Sequence, residues 1–171
     1  MAEVRVVRPE RPGDHAVVRS INAAAFGRAA EADLVETLRA QAQPLLSLVA
    51  EVDDIVVGHI LFSPVSLDGH PAARLMALAP MAVLPARQRQ GIGAALVHTG
   101  LERCRELGAD AVVVLGHPSF YPRFGFVPAA RIGIRCEYDA PDEAFMCVEL
   151  VPGRLRGMAG TVRFHPAFRG V

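Results

Sequence analysis

The amino-acid sequence predicts an α/β protein of mixed α+β type, in which helices cover both faces of a central mixed sheet. The chain has 171 residues, of which 51% are hydrophobic and 21% charged, as is typical of one globular domain. Helical and strand patterns predict the order β, α, α, β, β, β, α, β, α, β, β. Residues 111–115 are apolar and mostly β-branched, as expected of a strand buried on both faces.

The segment before residue 68 is predicted to form a strand, two helices and a hairpin. Residues 4–7 have the pattern of a short strand, and a helix is predicted from an N-cap at Asp14 to about Phe26. Residues 46–67 predict two strands that are joined by a tight turn at two successive aspartates. The second helix is predicted from apolar side chains at helical spacing, which are Leu34, Val35 and Leu38.

A strand, a helix and a strand follow, and together they predict a right-handed βαβ crossover. Residues 75–84 form the first strand, in which Pro80 marks a bulge or the end of pairing because proline cannot donate to the ladder. Residues 91–107 have one apolar and one charged face, which indicates an amphipathic helix. Residues 111–115 complete the unit.

The C-terminal part is predicted to hold one more helix and a closing pair of strands. The helix falls between residues 115 and 132. Residues 132–138 and 145–151 predict two strands that pair with each other in antiparallel fashion.

Composition and charge exclude several classes of protein. The 18 basic and 18 acidic residues cancel without a run of like charge, which argues against nucleic acid or membrane partners. No apolar run has the length of a membrane span and no secretory signal is visible, so we expect a cytoplasmic location. Seven residues have no disulfide or metal-ligand spacing, so no metal site is expected. These are Cys104, Cys136, Cys147, His15, His70, His98 and His165.

A candidate anion-binding turn joins the strand at 75–84 to the helix at 91–107. Free N–H groups in a first helical turn bind phosphate oxygens, and glycine lets the ligand approach the backbone. Each contact contributes only about 0.3 to 1 kcal/mol, so several amides must act together. A plain turn of small residues is the alternative, and the missing third glycine disfavours a dinucleotide fingerprint. The turn contains Gln88, Arg89, Gln90, Gly91, Ile92, Gly93 and Ala94.

Three motifs in this order resemble the GNAT superfamily of N-acetyltransferases. Residues 78–85 resemble the family's fourth strand, where a bulge splays the sheet, and residues 120–126 resemble the tyrosine segment that closes its thioester site. Leu115 and Gly116, ahead of a Tyr-x-Arg-Phe-Gly-Phe segment, are similar to an uncharacterised "predicted N-acetyltransferase" branch. The family's cofactor motif is matched by Gln88, Gly91 and Gly93.

The resemblance implies a fold, a cosubstrate and a reaction. The fold is a mixed, mostly antiparallel sheet with a splay between the fourth and fifth strands, over a GNAT domain at residues 3–152 with a C-terminal extension at 153–171. The expected reaction is direct transfer of an acetyl group from acetyl-CoA to a primary amine. Residues 89–94 would hold the pyrophosphate. The thioester would be oriented by the backbone of Met81, Ala82 and Val83.

Tyr121 is the implied general acid, which would protonate the sulfur of the departing coenzyme A. A tyrosine has an ordinary pKa of about 10 and is therefore protonated at neutral pH. The alternative is that Tyr121 only packs in an aromatic cluster with neighbouring phenylalanines. Arg123 either contacts a coenzyme A phosphate or a substrate carboxylate, or stays in water.

The general base is left open by the sequence, because residues 75–84 contain no acid. His117 is favoured, since histidine titrates near neutrality and loops at strand ends line sites. An acceptor amine that is already neutral would need no base. The other candidates are Glu31, His59 and Glu51.

Two other functions compete with the acyltransferase. One is a non-catalytic acyl-CoA-binding or regulatory module, which the missing acid at residues 75–84 favours; the other is a nucleotide-binding domain of another fold. The acceptor is expected to be a small-molecule or peptide amine. The chain is expected to be a monomer or homodimer, and the length of the acyl group stays open.

Overall fold

A central sheet organises the protein, for which a computed structural model describes residue 3 and residues 5–171. The described residues form three α-helices, α1 (His15–Phe26), α2 (Ala30–Gln41) and α3 (Ile92–Glu106). They also form nine strands, which are β1 (Arg5–Pro9), β2 (Leu46–Val52), β3 (Ile55–Leu67), β4 (Leu75–Val83), β5 (Ala111–Leu115), β6 (Val127–Pro128), β7 (Ile134–Cys136), β8 (Phe145–Glu149) and β9 (Gly160–Arg163). The predicted first strand began at Val4, which lies outside the described residues.

The sheet is mixed and mostly antiparallel, as predicted. Seven strands follow the order β1-β2-β3-β4-β5-β8-β6, and β9 pairs with both β3 and β7. Within the seven-strand path, β4 and β5 are the parallel pair, and α3 connects them. The predicted strand–helix–strand unit is therefore confirmed. The hairpin between β2 and β3 turns at Asp53 and Asp54, whose φ angles of 50° and 67° both lie in the left-handed region.

Helices pack on both faces of the sheet because side chains alternate along the central strands. Leu61 and Val49 face α1 and α2, where they join a cluster with Val18 and Leu38. The neighbours of Leu61 on β3 point the other way and pack under α3. Gly100 permits this contact, since a Cβ there would lie 2.3 Å from the ring of Phe62. The cluster beneath α3 includes Leu48, Ile60, Phe62, Leu96 and Val97.

The N-terminal turn of α1 differs in detail from the prediction. Asp14 occupies the N-cap position, but its side chain makes no capping hydrogen bond to the helix. Its carboxylate instead accepts hydrogen bonds from the Arg11 N–H and from the Arg8 guanidinium, which also binds Glu51. Asp14 therefore fastens the start of α1 to β1 and β2.

The two strands β4 and β5 separate after a short parallel segment. Their pairing covers Leu75 to Ala77, whereas β5 continues to Leu115 along β8. In β4, Ala79 and Pro80 lie opposite the single residue Leu61 of β3, which confirms the predicted bulge at Pro80. Beyond Ala77 the edge of β4 that faces β5 has no strand partner within the described residues. The sheet therefore opens into a cleft.

The predicted helix between residues 115 and 132 is wrong. The helical structure described in this segment is limited to the short 3-10 turns Tyr121–Phe124 and Ala129–Ile132, and strand β6 lies between them. Pro122 and Pro128 each remove a backbone donor, and Gly125 and Gly133 have φ angles of 91° and 77° that end the turns. No stretch between these residues is long enough for a stable α-helix.

The predicted antiparallel pairing of residues 132–138 with 145–151 is also wrong. β8 pairs with β5 and β6, and β7 pairs in parallel with β9. β8 therefore extends the sheet beside β5, whereas β7 pairs outside this path. Ile134 of β7 and Val162 of β9 are buried in one cluster with Phe145 and Cys147 of β8.

Residues 153–171 pack against the rest of the chain. Leu155 and Val162 are buried, and β9 pairs with β3 at Ser66 and Leu67. Phe168 packs beside α2. The boundary at residue 152 stays a prediction. Among the helices in the described part of the chain, none has the length and apolar character that crossing a membrane requires.

Candidate active site

The cleft between β4 and β5 has a volume of about 1230 Å3 and brings together most of the predicted site residues. It has three walls, which are the β4 edge with the start of α3, the segment after β5, and a third set of residues from the α1–α2 junction, the loop after β7 and the C-terminal tail. Eight of the ten predicted cofactor-binding residues line it: Met81, Val83, Gln88, Arg89, Gly91, Ile92, Gly93 and Ala94.

The start of α3 presents free backbone N–H groups to this cleft. The first hydrogen bond of the helix runs from the Ala95 N–H to the Gly91 carbonyl at 3.1 Å, so the amides of Ile92, Gly93 and Ala94 have no intrahelical partner. Gly91 has a φ of 83° and leads into the helix from a turn in which Arg89 has a φ of 62°. Both residues occupy the left-handed region, which lets consecutive amides point toward one place and form an anion site.

The remaining two predicted residues do not line the cleft. Ala82 is buried and lies opposite His59 in the β3–β4 register. Gln90 uses its carbonyl to accept a hydrogen bond from Arg5, which ties the turn to β1. The side chain of Gln88 donates to the carbonyl of Val83 at 3.0 Å and so fixes the turn to the end of β4.

Tyr121 lies in the cleft wall at the end of β5, held by aromatic rings and a glycine. Its ring meets Phe120 and Phe126 edge to face at centroid distances of 5.0 and 5.5 Å. A Cβ on Gly116 would come within 2.5 Å of that ring, so only glycine permits this packing. The side chain is 7% exposed, and burial raises the pKa of Tyr121 to about 12. Its hydroxyl makes no hydrogen bond with other described residues.

The candidate bases fall in different places. His117 and Glu31 line the cleft, and His117 is exposed there. Glu31 is buried and accepts two hydrogen bonds from Arg28, at 3.0 Å from Nε and 2.5 Å from Nη2. Glu51 is paired with Arg8 away from the cleft. The structure thus brings two of the four candidates to the site.

His59 belongs to a buried polar network instead. Its Nδ1 is 3.1 Å from Asn22 Nδ2, and its Nε2 is 2.9 Å from Ser47 Oγ. Ser47 in turn donates to Glu10, which also binds Arg39. Burial lowers the pKa of His59 although Glu10 acts in the opposite direction, so the neutral imidazole is favoured. Asn22 has only donors on Nδ2 and requires an acceptor at Nδ1, which places the proton on Nε2.

Arg123 stands on the cofactor side of the cleft. Its guanidinium lies 4.9 Å from the centre of the Phe120 ring. That same ring is 3.7 Å from the position that a Cβ of Gly93 would take. Arg123 and the first turn of α3 therefore both lie beside the ring of Phe120, and Arg123 lines the cleft.

Sequence reasoning missed a third set of lining residues, which we call the tail wall. The tail wall consists of Arg28, Glu31, Tyr138, Asp139, Phe164 and Phe168. Its aromatic rings pack on one another, with Phe164 5.5 Å from Tyr138 and 5.3 Å from Phe168. Glu31 was considered only as a base. The other residues come from the α1–α2 junction, from the loop after β7 and from the tail, and no spacing in the sequence connects them.

Comparison with known proteins agrees with this geometry. The acetyltransferase (GNAT) family profile matches residues 16–126. The uncharacterized N-acetyltransferase YhbS of Escherichia coli K12 is 37% identical over 164 residues, which are 95% of this chain and 98% of YhbS. The uncharacterized N-acetyltransferase YjhQ of the same organism is 42% identical over 138 residues, or 78% of this chain and 76% of YjhQ.

Two solved structures resemble the whole chain. The crystal structure of E. coli YhbS in complex with CoA matches with a TM-score of 0.91 and 36% identity, over 98% of this chain and 93% of that one. A GNAT family acetyltransferase from Brucella melitensis in complex with acetyl-CoA matches with a TM-score of 0.79 and 38% identity, over 96% and 98%. The predicted fold and enzyme class, an acetyl-CoA-dependent N-acetyltransferase, are confirmed. The chain belongs to the acetyltransferase (GNAT) family.

Proposed function

We propose that the cleft binds acetyl-CoA and that the protein transfers the acetyl group directly to a primary amine. One observation carries this proposal: the unpaired β4 edge, the free amides of α3 and Tyr121 all line the same cleft. The relatives from E. coli and Brucella melitensis, which hold CoA and acetyl-CoA, support the same cosubstrate here.

The cofactor side accounts for binding and orientation. The amides of Ile92, Gly93 and Ala94 would bind the pyrophosphate oxygens at the positive end of α3, and Arg123 would add a charged contact. The β4 edge from Leu78 to Val83 offers unpaired backbone groups to the amide-containing arm of the cofactor. These contacts would hold the thioester beside the wall that contains Tyr121.

Transfer then needs one proton to leave the amine and one to reach the sulfur. The neutral amine nitrogen attacks the thioester carbonyl carbon, the C–S bond breaks, and the phenol of Tyr121 gives its proton to the thiolate. His117, exposed in the cleft, would accept the proton from the amine directly or through water. Burial favours the neutral phenol of Tyr121, so the proton is present at neutral pH. General acid help of this kind contributes about 10² to 10⁴ in rate.

The alternative of a non-catalytic acyl-CoA-binding module has one supporting observation, which is that β4 carries no acid. Three ionisable side chains on the other walls weaken this alternative, because Glu31, His117 and Asp139 line the same cleft. The cytoplasmic location and the choice between monomer and homodimer stay predictions from the sequence.

Calorimetric titration of acetyl-CoA tests the proposal, with ATP and NAD as control ligands. The informative variant is Gly93→Asp, which puts a negative charge where the pyrophosphate would bind. Its Cβ would meet Met81 and Phe120 only at 3.6 Å and beyond, and an acid in the first turn is compatible with the helix dipole, so the fold should persist. Gly13→Asp is the matched control, because nothing lies within 4 Å of that position.

We expect micromolar binding of acetyl-CoA by the wild type and by Gly13→Asp, and loss of binding in Gly93→Asp. A wild-type protein that binds ATP or NAD but not acetyl-CoA would overturn the proposal.

A further inference from the structure

The tail wall presents an aromatic surface that the proposed transfer leaves unused. Phe164 contacts Tyr138, Phe168 and Phe145, with ring centroids between 5.3 and 6.4 Å apart. Tyr138, Phe164 and Phe168 all line the cleft, and each is only partly buried. Rings held by one another in this way form a rigid apolar surface, which suits a ring or another bulky apolar group on a ligand.

The hydroxyl of Tyr138 is a buried polar group without a partner. Its oxygen is inaccessible to solvent and makes no hydrogen bond with any residue that the structure describes. A buried hydroxyl in this situation is destabilising, and native proteins satisfy nearly all such groups. Burial raises the pKa of Tyr138, so the hydroxyl keeps its proton. Because solvent does not reach this oxygen, a ligand in the cleft contacts the ring of Tyr138 and not its hydroxyl.

The charges of the tail wall leave one acid uncompensated. Glu31 and Arg28 form a bidentate pair, so their charges cancel locally. Asp139 is exposed in the cleft and has no hydrogen bond or ion pair among residue 3 and residues 5–171. A net negative charge beside aromatic rings attracts an ammonium group and repels a carboxylate. An amino acid, which carries its carboxylate beside the nitrogen, is therefore disfavoured.

We infer that the acceptor is a primary amine on an apolar, ring-sized body without a carboxylate next to the nitrogen; this inference rests on the transfer proposed above. Asp139 contacts the ammonium as the acceptor binds, and the ammonium then gives one proton to water before the neutral nitrogen attacks the thioester. The rings of Tyr138, Phe164 and Phe168 pack against the apolar body. A polyamine would pair with the carboxylate of Asp139 but would leave the rings of Phe164 and Phe168 uncovered. An amino acid covers the rings but places a carboxylate beside Asp139.

Steady-state release of the coenzyme A thiol tests this inference with three amines at fixed acetyl-CoA: 2-phenylethylamine, L-phenylalanine and spermidine. We expect 2-phenylethylamine to have the highest kcat/KM, by about tenfold or more. Asp139→Asn should raise the KM for 2-phenylethylamine by about tenfold, the effect of losing a charge-assisted hydrogen bond. Asp142→Asn is the matched control, since Asp142 is exposed nearby but does not line this cleft.

The outcomes separate this inference from the proposed function. A preference for L-phenylalanine or spermidine, or a KM that changes equally in both aspartate variants, overturns the inference and leaves the acetyltransferase reading intact. The inference is also overturned if acetyl-CoA binds by calorimetry but none of the three amines releases thiol. Failure to bind acetyl-CoA at all overturns the proposed function itself.

Discussion

Gly116→Ala is expected to slow acetyl transfer by displacing the ring of Tyr121. A Cβ at this position would lie 2.5 Å from Cε2 and 3.1 Å from Cδ2 of that ring. Carbon atoms in contact prefer separations of about 3.5 to 4.0 Å, so the ring must move by about 1 Å. A misplacement of about 1 Å can cost up to about 10² in rate, and we therefore expect kcat to fall about 10- to 100-fold.

The assay is thiol release with the amine that proves active, combined with thermal unfolding and acetyl-CoA calorimetry. Acetyl-CoA affinity should change little, because the amides of α3 are untouched. Crowding of the ring should also lower the stability by about 1 to 3 kcal/mol. Gly13→Ala is the control, since its added methyl group meets no atom within 4 Å.

A double-mutant cycle decides whether the effect acts through the tyrosine. If Gly116 matters because it positions the phenol, Gly116→Ala should have little further effect on kcat in the Tyr121→Phe background. Wild-type turnover in Gly116→Ala, or an equal loss of turnover in both backgrounds, would refute the reasoning.

Three further predictions concern single residues. Tyr121→Phe should lower kcat at least about tenfold with acetyl-CoA affinity nearly intact, because the hydroxyl makes no hydrogen bond with other described residues; unchanged turnover would remove its proposed role. His117→Ala should lower kcat at least about tenfold because the proposed proton acceptor is lost, and unchanged turnover would contradict the assignment. Burial raises the pKa of Glu10, but hydrogen bonds from His59 and Ser47 and the charge of Arg39 outweigh this effect. They lower the pKa of Glu10 from 4.5 to about 2. This stabilisation is present above pH 4.5 and lost as the pH falls through 2, so the Tm of Glu10→Gln should lie below that of the wild type at pH 7 and approach it in acid; a constant difference would show that the charge is irrelevant.

The sequence predicted those elements whose partners are close in the chain. The helix at α3 has a long periodic pattern, and β4 and β5 flank it directly, so their parallel pairing followed from the crossover rule. Pro80 located the bulge because it lacks a donor. The turn from Gln88 to Ala94 was recognised from local spacing. These features together form the cofactor side of the cleft.

The rest depends on contacts between distant segments. β7 has three residues, and its partner β9 begins at Gly160, so neither length nor periodicity indicates that they pair in parallel. Tyr138 and Asp139 follow β7 in an irregular loop, where polar side chains carry no pattern. Their neighbours in the cleft, Phe164 and Phe168, are brought there by β9. The tail wall could therefore be found only in three dimensions.

During synthesis the two sides of the cleft leave the ribosome at different times, because β9 follows the cofactor-side residues in the sequence. Every residue of the cofactor side lies before residue 125, although β5 completes its pairing only when β8 (Phe145–Glu149) has also left the ribosome. The tail wall also contains Phe164 and Phe168, which leave the ribosome about 40 residues later. Both residues follow β9, which pairs with β3 and β7. Most of the cofactor side thus leaves the ribosome before Phe164 and Phe168, the rings to which we assign the selection of the amine.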